Sequence, residues 1–271
     1  MRASTIAGIE ADTVVRGFYR GYEGYFMPVS FSRAGLERSA PQLDARLDFS
    51  PAFLEADGEI AGFAFLALRD ERAWIWALGM APAHRRQGLG VHLLESAIAN
   101  AAALGARSLE LEVLVQNAPA QGLYRRCGFA ISHELAGLSR EPDARAQAPH
   151  QMGWSAAADL LARVAARPPH ARCWQRQRAS IGRIDRLWAV YRPNAPDVHA
   201  FYTYNDTDLR IADWSIEDID DARAITLALA ATFPTRRLFL ANERASILTG
   251  RLAELGWNET WRQYRMVRAL E

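Results

Sequence analysis

Hydrophobic and polar positions alternate along the first half of the chain in blocks that predict short strands and amphipathic helices. Residues 72–80 (RAWIWALGM) form an apolar run typical of a strand, and residues 108–115 (SLELEVLV) alternate between apolar and other side chains, which predicts a second strand. A helix is predicted between them, ending at Gly105. Its expected buried face consists of Val91, Leu94, Ile98 and Ala102.

The segment before residue 72 predicts two helices and a pair of strands. A first helix is expected over 12–24, and Ser32 suits the N-cap of a second helix because its hydroxyl can accept a backbone hydrogen bond. Residues 53–68 predict two strands joined at Asp57 and Gly58, a dipeptide that favours tight hairpin turns. The expected order is helix, helix and a meander that leads into the apolar strand.

The loop after that strand, residues 80–90 (MAPAHRRQGLG), carries the clearest candidate chemistry. Gly88 and Gly90 lack a Cβ, so backbone N–H groups can approach an anion closely, while Arg85 and Arg86 add positive charge. The loop opens a helix, whose N-terminus also favours anions. We therefore expect it to hold a pyrophosphate. The chain has neither G-x-G-x-x-G nor G-x-x-x-x-G-K-[ST], which argues against dinucleotide and nucleoside triphosphate loops.

A second constellation, residues 117–129 (NAPAQGLYRRCGF), follows the strand at 108–115. Asn117 suits an N-cap, and Pro119 is tolerated in the first helical turn because its missing N–H has no intrahelical partner there. Gly128 suits the residue just after a helix end. The segment predicts a short helix.

Together the two constellations resemble the signatures of the GNAT N-acetyltransferases. The loop matches the family's acyl-CoA pattern [QR]-x-x-G-x-[GA], with Pro82 a few residues earlier, and residues 117–129 match N-x-x-A followed by L-Y-x-x-x-G-F. The resemblance covers residues 1–140. It implies an α/β (α+β) fold in which a mixed, mostly antiparallel sheet is flanked by helices.

The resemblance also implies acetyl-CoA as co-substrate and assigns residues to it. The assigned positions are Leu78, Gly79, Met80, Arg85, Arg86, Gln87, Gly88, Leu89, Gly90, Asn117 and Tyr124. The strand residues would offer backbone groups to the pantetheine arm. Tyr124 matches the tyrosine that protonates the departing thiolate, although a core tyrosine is the alternative. Arg85 or Arg86 as a solvated surface charge, and Asn117 as a helix cap alone, also stay open.

The general base and the acceptor site rest on weaker patterns. Glu110 and Glu112 share one face of the strand at 108–115, so Glu112 is a candidate base, and salt-bridged or solvated acids are the alternative. Cys127 suits a nucleophile less, because no base is evident beside it. The candidate acceptor residues are Tyr22, Glu23, Tyr25 and Phe26. An aromatic cleft with one carboxylate suits a cationic amine, and aromatic packing under a loop explains the same residues equally well.

Length and charge limit the remaining possibilities. The chain has 271 residues, which predicts two domains, and its 32 basic and 31 acidic side chains give no electrostatic case for nucleic acid or an anionic membrane as partner. Neither a leader nor an apolar run long enough to span a bilayer is evident, which predicts a cytoplasmic protein. The histidines and the two cysteines lack metal-ligand spacing, so no metal is expected.

The second half is predicted to be a modified copy of the first. We expect domains at 1–140 and 154–271 with a linker at 141–153, then a helix over 155–167 broken at Pro168 and Pro169. The strand-like runs expected there are 187–191, 201–205, 209–214, 237–242 and 262–267, with Asn242 and Gly256 as counterparts of Asn117 and Gly128. Residues 215–222 (SIEDIDDA) carry no glycine and several acids, which predicts a degenerate GNAT-like domain without acetyl-CoA.

The leading functional hypothesis is an N-acetyltransferase that acts on the amine of a small molecule, by direct attack in a ternary complex. Acetylation of a peptide or protein amine is an alternative, and so is a non-catalytic acyl-CoA-binding module. Monomer and homodimer both remain open.

Overall fold

The computed structural model describes residues 1–149, 151–165 and 172–270. They form two compact units: Met1–Ser132 together with Tyr264–Glu271, and His133–Gln263. The C-terminal residues therefore belong to the first unit, whereas the sequence pattern placed them in the second predicted domain. Strand periodicity predicts that residues near the C-terminus form a strand, but it does not show which strands will be its neighbours.

The first unit contains four helices and five consecutive strands. The helices are α1 (Ala11–Gly21), α2 (Arg33–Leu43), α3 (Leu89–Ala103) and α4 (Ala118–Arg126), and the strands are β1 (Arg2–Thr5), β2 (Pro51–Leu54), β3 (Ile60–Arg69), β4 (Arg72–Met80) and β5 (Ser108–Leu114). The strands lie in the order β1-β2-β3-β4-β5, followed by the C-terminal strand. Neighbours from β1 to β4 are antiparallel, and β4 and β5 are parallel.

Each face of this sheet has its own core. Phe18 of α1 packs with Phe63 and Phe65 of β3 on one face. On the other face, Leu93 and Leu94 of α3 pack against β3, β4 and β5. The parallel β4–β5 pair requires a crossover connection, which α3 provides. Both loops that flank the ends of α3 therefore lie next to these two central strands.

The predicted local signals for helix ends are confirmed. The Ser32 hydroxyl accepts the Gly35 N–H at 3.0 Å at the start of α2, and Asn117 accepts the Ala120 N–H at 3.3 Å at the start of α4. Gly128 follows α4 with a left-handed φ of 82°, a conformation that costs glycine little.

The predicted buried face of α3 is partly wrong. The fully buried side chains are Leu93, Leu94, Ala97 and Ala101. Ala102 is exposed, while Val91 and Ile98 are only partly buried. Apolar residues, many of them alanine, occur on several sides of this helix, so the sequence does not define one narrow stripe and contact with the sheet selects the buried side.

Among its described residues, the second unit contains four α-helices and seven strands, and the first and last of these strands begin or end in the first unit. The strands are β6 (Ala130–Arg140), β7 (Gly153–Ala156), β8 (Trp188–Arg192), β9 (Ala195–Tyr204), β10 (Asp208–Ser215), β11 (Arg237–Arg244) and β12 (Trp257–Ala269), and the helices are α5 (Ala157–Leu161), α6 (Arg178–Ile181), α7 (Ile219–Thr232) and α8 (Ile247–Arg251). The predicted helix over 155–167 is thus shorter, and the predicted break at Pro168 and Pro169 lies outside the described residues.

The second unit repeats part of the element order of the first. β9 and β10 are antiparallel, α7 follows, and β11 returns parallel to β10, as β3, β4, α3 and β5 do. The predicted equivalence of Asn242 with the cap Asn117 is wrong. Asn242 lies inside β11, and Ser246 caps α8 by accepting the Thr249 N–H at 3.2 Å.

Candidate active site

A cleft opens in the first unit where two parallel strands separate. β4 and β5 stay paired from Arg72 and Ser108 to Ile75 and Leu111, and the pairing ends there. An extra residue, Trp76, bulges from β4 against β3 at the same level, and bulges bend the strand that carries them. The separation leaves a cavity of about 510 Å³ lined by both strands, the α1–α2 loop, the loop before α3, and α4.

The glycine loop forms one end of this cleft. Arg86 and Gly88 both have left-handed φ angles, 61° and 80°, and α3 starts at Leu89 without a side-chain cap. The first amides of a helix lack intrahelical partners, so those of α3 are available to a ligand. A Cβ added at Gly88 would have no heavy atom within 4 Å, which shows that the space beside its backbone is open. The loop fits an anion.

The guanidinium of Arg85 is occupied by hydrogen bonds to backbone carbonyl oxygens. Its Nε donates to the carbonyl oxygen of Met80 at 2.8 Å, and its Nη2 donates to those of Gly21 at 3.2 Å and Glu23 at 2.8 Å. Gln87 likewise donates to the carbonyl oxygen of Ala83 at 2.7 Å. Arg85 therefore ties the glycine loop to the segment after α1.

Close packing places that segment over β4. A Cβ added at Gly21 would lie 3.1 Å from the Cα of Gly79, so glycine is needed where the end of α1 meets the strand. Tyr22 and Tyr25 follow at once, line the cleft, and contact each other with ring centroids 4.9 Å apart. Burial raises the pKa of both phenols.

The candidate acceptor residues all line the cleft, and Tyr22 also packs in the core. Tyr22 stacks on the core residue Phe18 with centroids 4.6 Å apart and still lines the cavity. Phe26 and Glu23 are exposed at its rim. For Tyr22, a place in an aromatic cleft and aromatic packing under a loop are therefore compatible.

Tyr124 lies in α4 and reaches the cleft from the face opposite the α1–α2 loop. Its side chain is buried and lines the cavity. Burial, followed by the nearby Tyr25, raises the pKa of its phenol, so the hydroxyl keeps its proton at neutral pH. A protonated phenol therefore belongs to the lining of the cleft.

Glu112 and Glu110 share a strand face, as expected, but have different surroundings. Glu110 forms ion pairs with Arg265 and, at 3.7 Å, with Arg72. Glu112 accepts a 2.7 Å hydrogen bond from the Trp74 indole on Oε2, and its buried Oε1 has no partner among the described residues. Desolvation, and then the charge of Glu110, raise the pKa of Glu112 to about 8. The salt-bridge alternative applies to Glu110 and not to Glu112.

Sequence reasoning missed two tryptophans of the apolar strand. Trp74 anchors Glu112, and Trp76 lines the cleft with an indole N–H that is buried and has no partner among the described residues. The sequence did carry a signal for them. Trp74 and Trp76 stand at positions i and i+2 of a strand that leads into a glycine loop, and alternate residues of a strand share a face.

The described parts of the chain give no support for a metal site, a cysteine nucleophile or a membrane-spanning helix. No group of three or more metal-ligating side chains is found in 1–149, 151–165 and 172–270. Burial raises the pKa of Cys127, which disfavours the nucleophilic thiolate. Within the same ranges, no helix combines the length and the apolarity that a membrane span requires.

Comparison with known proteins gives a family match for the segment that holds the cleft. Residues 15–129 match the model of the acetyltransferase (GNAT) family. Streptothricin acetyltransferase of Streptomyces lavendulae is 44% identical over 78 residues, covering 28% of this chain and 41% of that protein. Mycothiol acetyltransferase of Clavibacter michiganensis is 40% identical over 85 residues, covering 30% and 28%.

A third relative, the [ribosomal protein bS18]-alanine N-acetyltransferase of Escherichia coli K12, is 37% identical over 76 residues, covering 28% of this chain and 51% of that protein. The chain therefore spans about half or less of the length of these relatives.

Similarity over the full chain appears at the level of fold. A GCN5-related N-acetyltransferase from Sphaerobacter thermophilus aligns over 100% of this chain and 96% of its own, with a TM-score of 0.73 and 14% identity. A tandem GNAT protein from the clavulanic acid biosynthesis pathway aligns over 100% and 98%, with a TM-score of 0.65 and 16% identity. At such identities the likeness describes the fold alone.

Proposed function

We propose that the first unit, whose residues 15–129 match the model of the GNAT family of acetyltransferases, transfers an acetyl group from acetyl-CoA to the amine of a small molecule. The observation that carries the proposal is the separation of β4 and β5 after Ile75 and Leu111, which joins an anion-binding loop to a buried acid and a buried phenol.

The residues of the cleft fit the parts of acetyl-CoA. The open backbone of Arg86 to Gly90 and the N-terminus of α3 suit a pyrophosphate, because amides and the helix dipole both favour anions there. Beyond Ile75, the backbone of Leu78 to Met80 no longer pairs with β5 and offers strand-like hydrogen bonds to the pantetheine amides. Bound acetyl-CoA would supply the thioester whose acetyl group is transferred.

Two side chains move the protons that the reaction requires. A protonated amine is not a nucleophile, and Glu112, with its free Oε1 and a pKa near 8, accepts the proton that the amine loses. As the new C–N bond forms and the C–S bond breaks, Tyr124 donates its hydroxyl proton to the departing sulfur. Direct transfer needs no covalent enzyme intermediate.

The lining of the cleft supports an amine as acceptor. Tyr22 and Tyr25 give it an aromatic wall, and Glu112 is an acid at its floor, a combination that suits a cationic amine before deprotonation. Two of the similar proteins carry the names of small molecules, streptothricin acetyltransferase and mycothiol acetyltransferase.

We assign the chemistry to the first unit alone. The helix that corresponds to α3 in the second unit is α7, and its N-cap residue Asp218 accepts the backbone N–H groups of Asp220 and Asp221 at 2.9 Å each. A side-chain carboxylate of the protein thus uses the amides that an anionic ligand would need, and its charge repels a phosphate. This supports a second unit that does not bind acetyl-CoA.

The experiment is thiol release from acetyl-CoA across a panel of small amines, with wild type, Tyr124→Phe and Glu112→Gln. We expect turnover on at least one amine and loss of about a hundredfold or more in kcat for each variant, as for removal of a general acid or base. Titration calorimetry of acetyl-CoA checks that both variants still bind it.

Two results would contradict this assignment. Tight acetyl-CoA binding without turnover on any amine indicates a non-catalytic acyl-CoA-binding module. Unchanged kcat in Tyr124→Phe and Glu112→Gln would remove both residues from the catalytic step.

A further inference from the structure

We propose that Arg265 of β12 decides which of two neighbouring acids in the first unit gains and loses a proton: it holds Glu110 as a carboxylate and leaves the exchangeable proton to Glu112. The inference rests on the proposed function, in which Glu112 is the base. Arg265 belongs to the C-terminal residues that join the first unit, and it is not among the residues that line the cleft. It is therefore a positioning residue, which acts on the reaction through Glu110.

Glu110 and Glu112 are close enough to compete for one negative charge. They are separated by one residue of β5, so their side chains share a face of the sheet and their Cα atoms lie about 6.6 Å apart. Glu110 is buried, and so is Oε1 of Glu112. In such surroundings each carboxylate disfavours the ionisation of the other. The partners of the two acids decide which one holds the charge.

Glu110 has cationic partners. Arg265 donates a hydrogen bond from Nη2 to Oε2 of Glu110, and only 8% of the Arg265 side chain is exposed. On β4, Nη1 of Arg72 lies 3.7 Å from Oε1 of Glu110. A guanidinium keeps its charge in proteins, and a nearby positive charge favours the ionised form of an acid. Glu110 is thus the acid that stays ionised.

Glu112 has a neutral partner instead. The Trp74 indole donates to Oε2 of Glu112 at 2.7 Å, which orients the carboxyl group without supplying a positive charge. Burial, followed by the negative charge of Glu110, raises the pKa of Glu112 to about 8, while the Trp74 hydrogen bond and Arg265 act in the opposite direction. One proton can therefore be exchanged near neutral pH, and it resides on Glu112.

The other titratable groups of the cleft are neutral or exposed. Burial raises the pKa of the phenols of Tyr22, Tyr25 and Tyr124, so these groups stay protonated while Glu112 titrates. The remaining charged residues that line the cleft are exposed, where water weakens their effect; they are Glu23, Arg85, Arg86 and Arg126. The buried ion pair between β5 and β12 therefore supplies the charges that set the ionisation of Glu112.

The test follows the carboxyl carbon signals of Glu110 and Glu112 by ¹³C NMR in the whole chain, from about pH 6 to 10. In wild type, only the Glu112 signal should titrate, with a midpoint of about 8. Glu110→Gln should lower that midpoint by about one pH unit, because a negative charge is removed and Arg265 remains. Arg265→Met should make both signals titrate in this range, with the last ionisation about one unit or more higher, because two coupled acids then share the titration.

The double variant Glu110→Gln, Arg265→Met keeps the test decisive if Arg265→Met alone does not fold. Replacing both members of a buried ion pair leaves no unpaired charge, so this variant should fold and show one Glu112 transition near that of wild type. The matched control is Arg262→Met, which removes an exposed arginine of the same strand that pairs with Glu134 at 2.8 Å. It should leave the Glu112 midpoint unchanged.

Kinetics show whether the ion pair acts on the reaction. The ratio of kcat/KM to that of the same protein carrying Glu112→Gln should level off about one pH unit lower in Glu110→Gln than in wild type. The expected NMR shifts without turnover on any amine would support the role of Arg265 and contradict the proposed function. An equal Glu112 midpoint in wild type and Glu110→Gln, or a Glu110 signal that stays flat in a folded Arg265→Met protein, overturns the inference.

Discussion

Arg85 donates a 2.8 Å hydrogen bond from Nη2 to the backbone carbonyl oxygen of Glu23. The glycine loop and the segment after α1 are thereby connected through one side chain that the sequence pattern assigned to the pyrophosphate. Its neighbour Arg86 lines the cleft, and no comparable backbone contact is found for it among the described residues. The two adjacent arginines should therefore affect different substrates.

The first prediction separates them. Arg85→Ala should raise KM for the amine by about threefold to tenfold, the effect expected from the loss of hydrogen bonds that order a loop, and should leave the Kd of acetyl-CoA nearly unchanged. Arg86→Ala should weaken acetyl-CoA instead. Steady-state kinetics and calorimetry measure both; equal weakening of acetyl-CoA would place the Arg85 side chain in the anion site.

The second prediction concerns Gly88, whose φ of 80° and open surroundings form the proposed anion cradle. Gly88→Ala should destabilise the fold by about 1 kcal/mol through its left-handed φ and also weaken acetyl-CoA binding by about tenfold, because a methyl group enters the cradle. The control is Gly105→Ala, at a φ of 82° and in equally open space.

Gly105 lies beyond the other end of α3. Gly105→Ala should therefore lower the free energy of unfolding, measured by chemical denaturation, as much as Gly88→Ala does, and should leave the Kd of acetyl-CoA unchanged. Were Gly88→Ala to bind acetyl-CoA as tightly as Gly105→Ala does, the loop would not be the pyrophosphate site.

The third prediction tests Tyr124 as the proton donor. Tyr124→Phe should lower kcat by about a hundredfold at constant acetyl-CoA affinity, since only the hydroxyl is removed. Tyr202→Phe removes a hydroxyl from a buried tyrosine in the second unit and should leave kcat unchanged. A thioester with a more acidic leaving thiol should restore part of the rate in Tyr124→Phe; absence of such rescue would argue for a packing role.

The fourth prediction follows from the pKa of Glu112, which burial raises to about 8. A base acts only when unprotonated, so the ratio of wild-type to Glu112→Gln kcat/KM should rise with pH and level off above about 8. Using the ratio cancels the titration of the amine itself. The groups that act on Glu112 are Glu110, Arg265 and Trp74. A ratio that is flat from about pH 6.5 to 9.5 would exclude Glu112 as the base.

The fifth prediction concerns stability. The unfolded chain releases the Glu112 proton near pH 4.5 and the folded chain near 8, so stability associated with the protonated carboxyl is lost as pH rises between these values. Glu112→Gln cannot ionise and should be more stable than wild type at pH 9, on the order of 1 kcal/mol or more, and similar to it near pH 5.

Urea unfolding at the two pH values measures this difference. Glu95→Gln, on the exposed side of α3, is the control for the loss of one carboxylate. A Glu112→Gln protein less stable than wild type at pH 9 would mean that the buried carboxylate is stabilised by its surroundings.

Local chemistry explains why much of the first unit could be predicted. Ser32 and Asn117 carry side-chain oxygens that cap a helix within three residues, and Gly128 tolerates a left-handed φ at a helix end. β4 and β5 lie within one residue of their predicted bounds, because alternating and apolar runs specify strands locally.

The features that decide chemistry in the cleft depend on contacts distant in sequence. Arg85 bonds to carbonyls more than 60 residues earlier, and Glu112 differs from Glu110 because Trp74 and Arg265 reach them from other strands. The bulge at Trp76 shows only in the register of β3 against β4. None of these contacts produces a pattern of hydrophobic and polar positions that could be recognised in the sequence.

The sequence by itself determined the strand, glycine loop and helix that run from Arg72 through Gly90 to Ala103, since each is specified by neighbouring residues. It also predicted a strand over residues 262–267, which lies inside the longer observed β12. Only the tertiary structure decided that Tyr264 and the residues after it return to the first unit, and that β4 and β5 part after Ile75 and Leu111 to open a cleft. Pairing between distant strands depends on packing over the whole sheet, which no local pattern encodes.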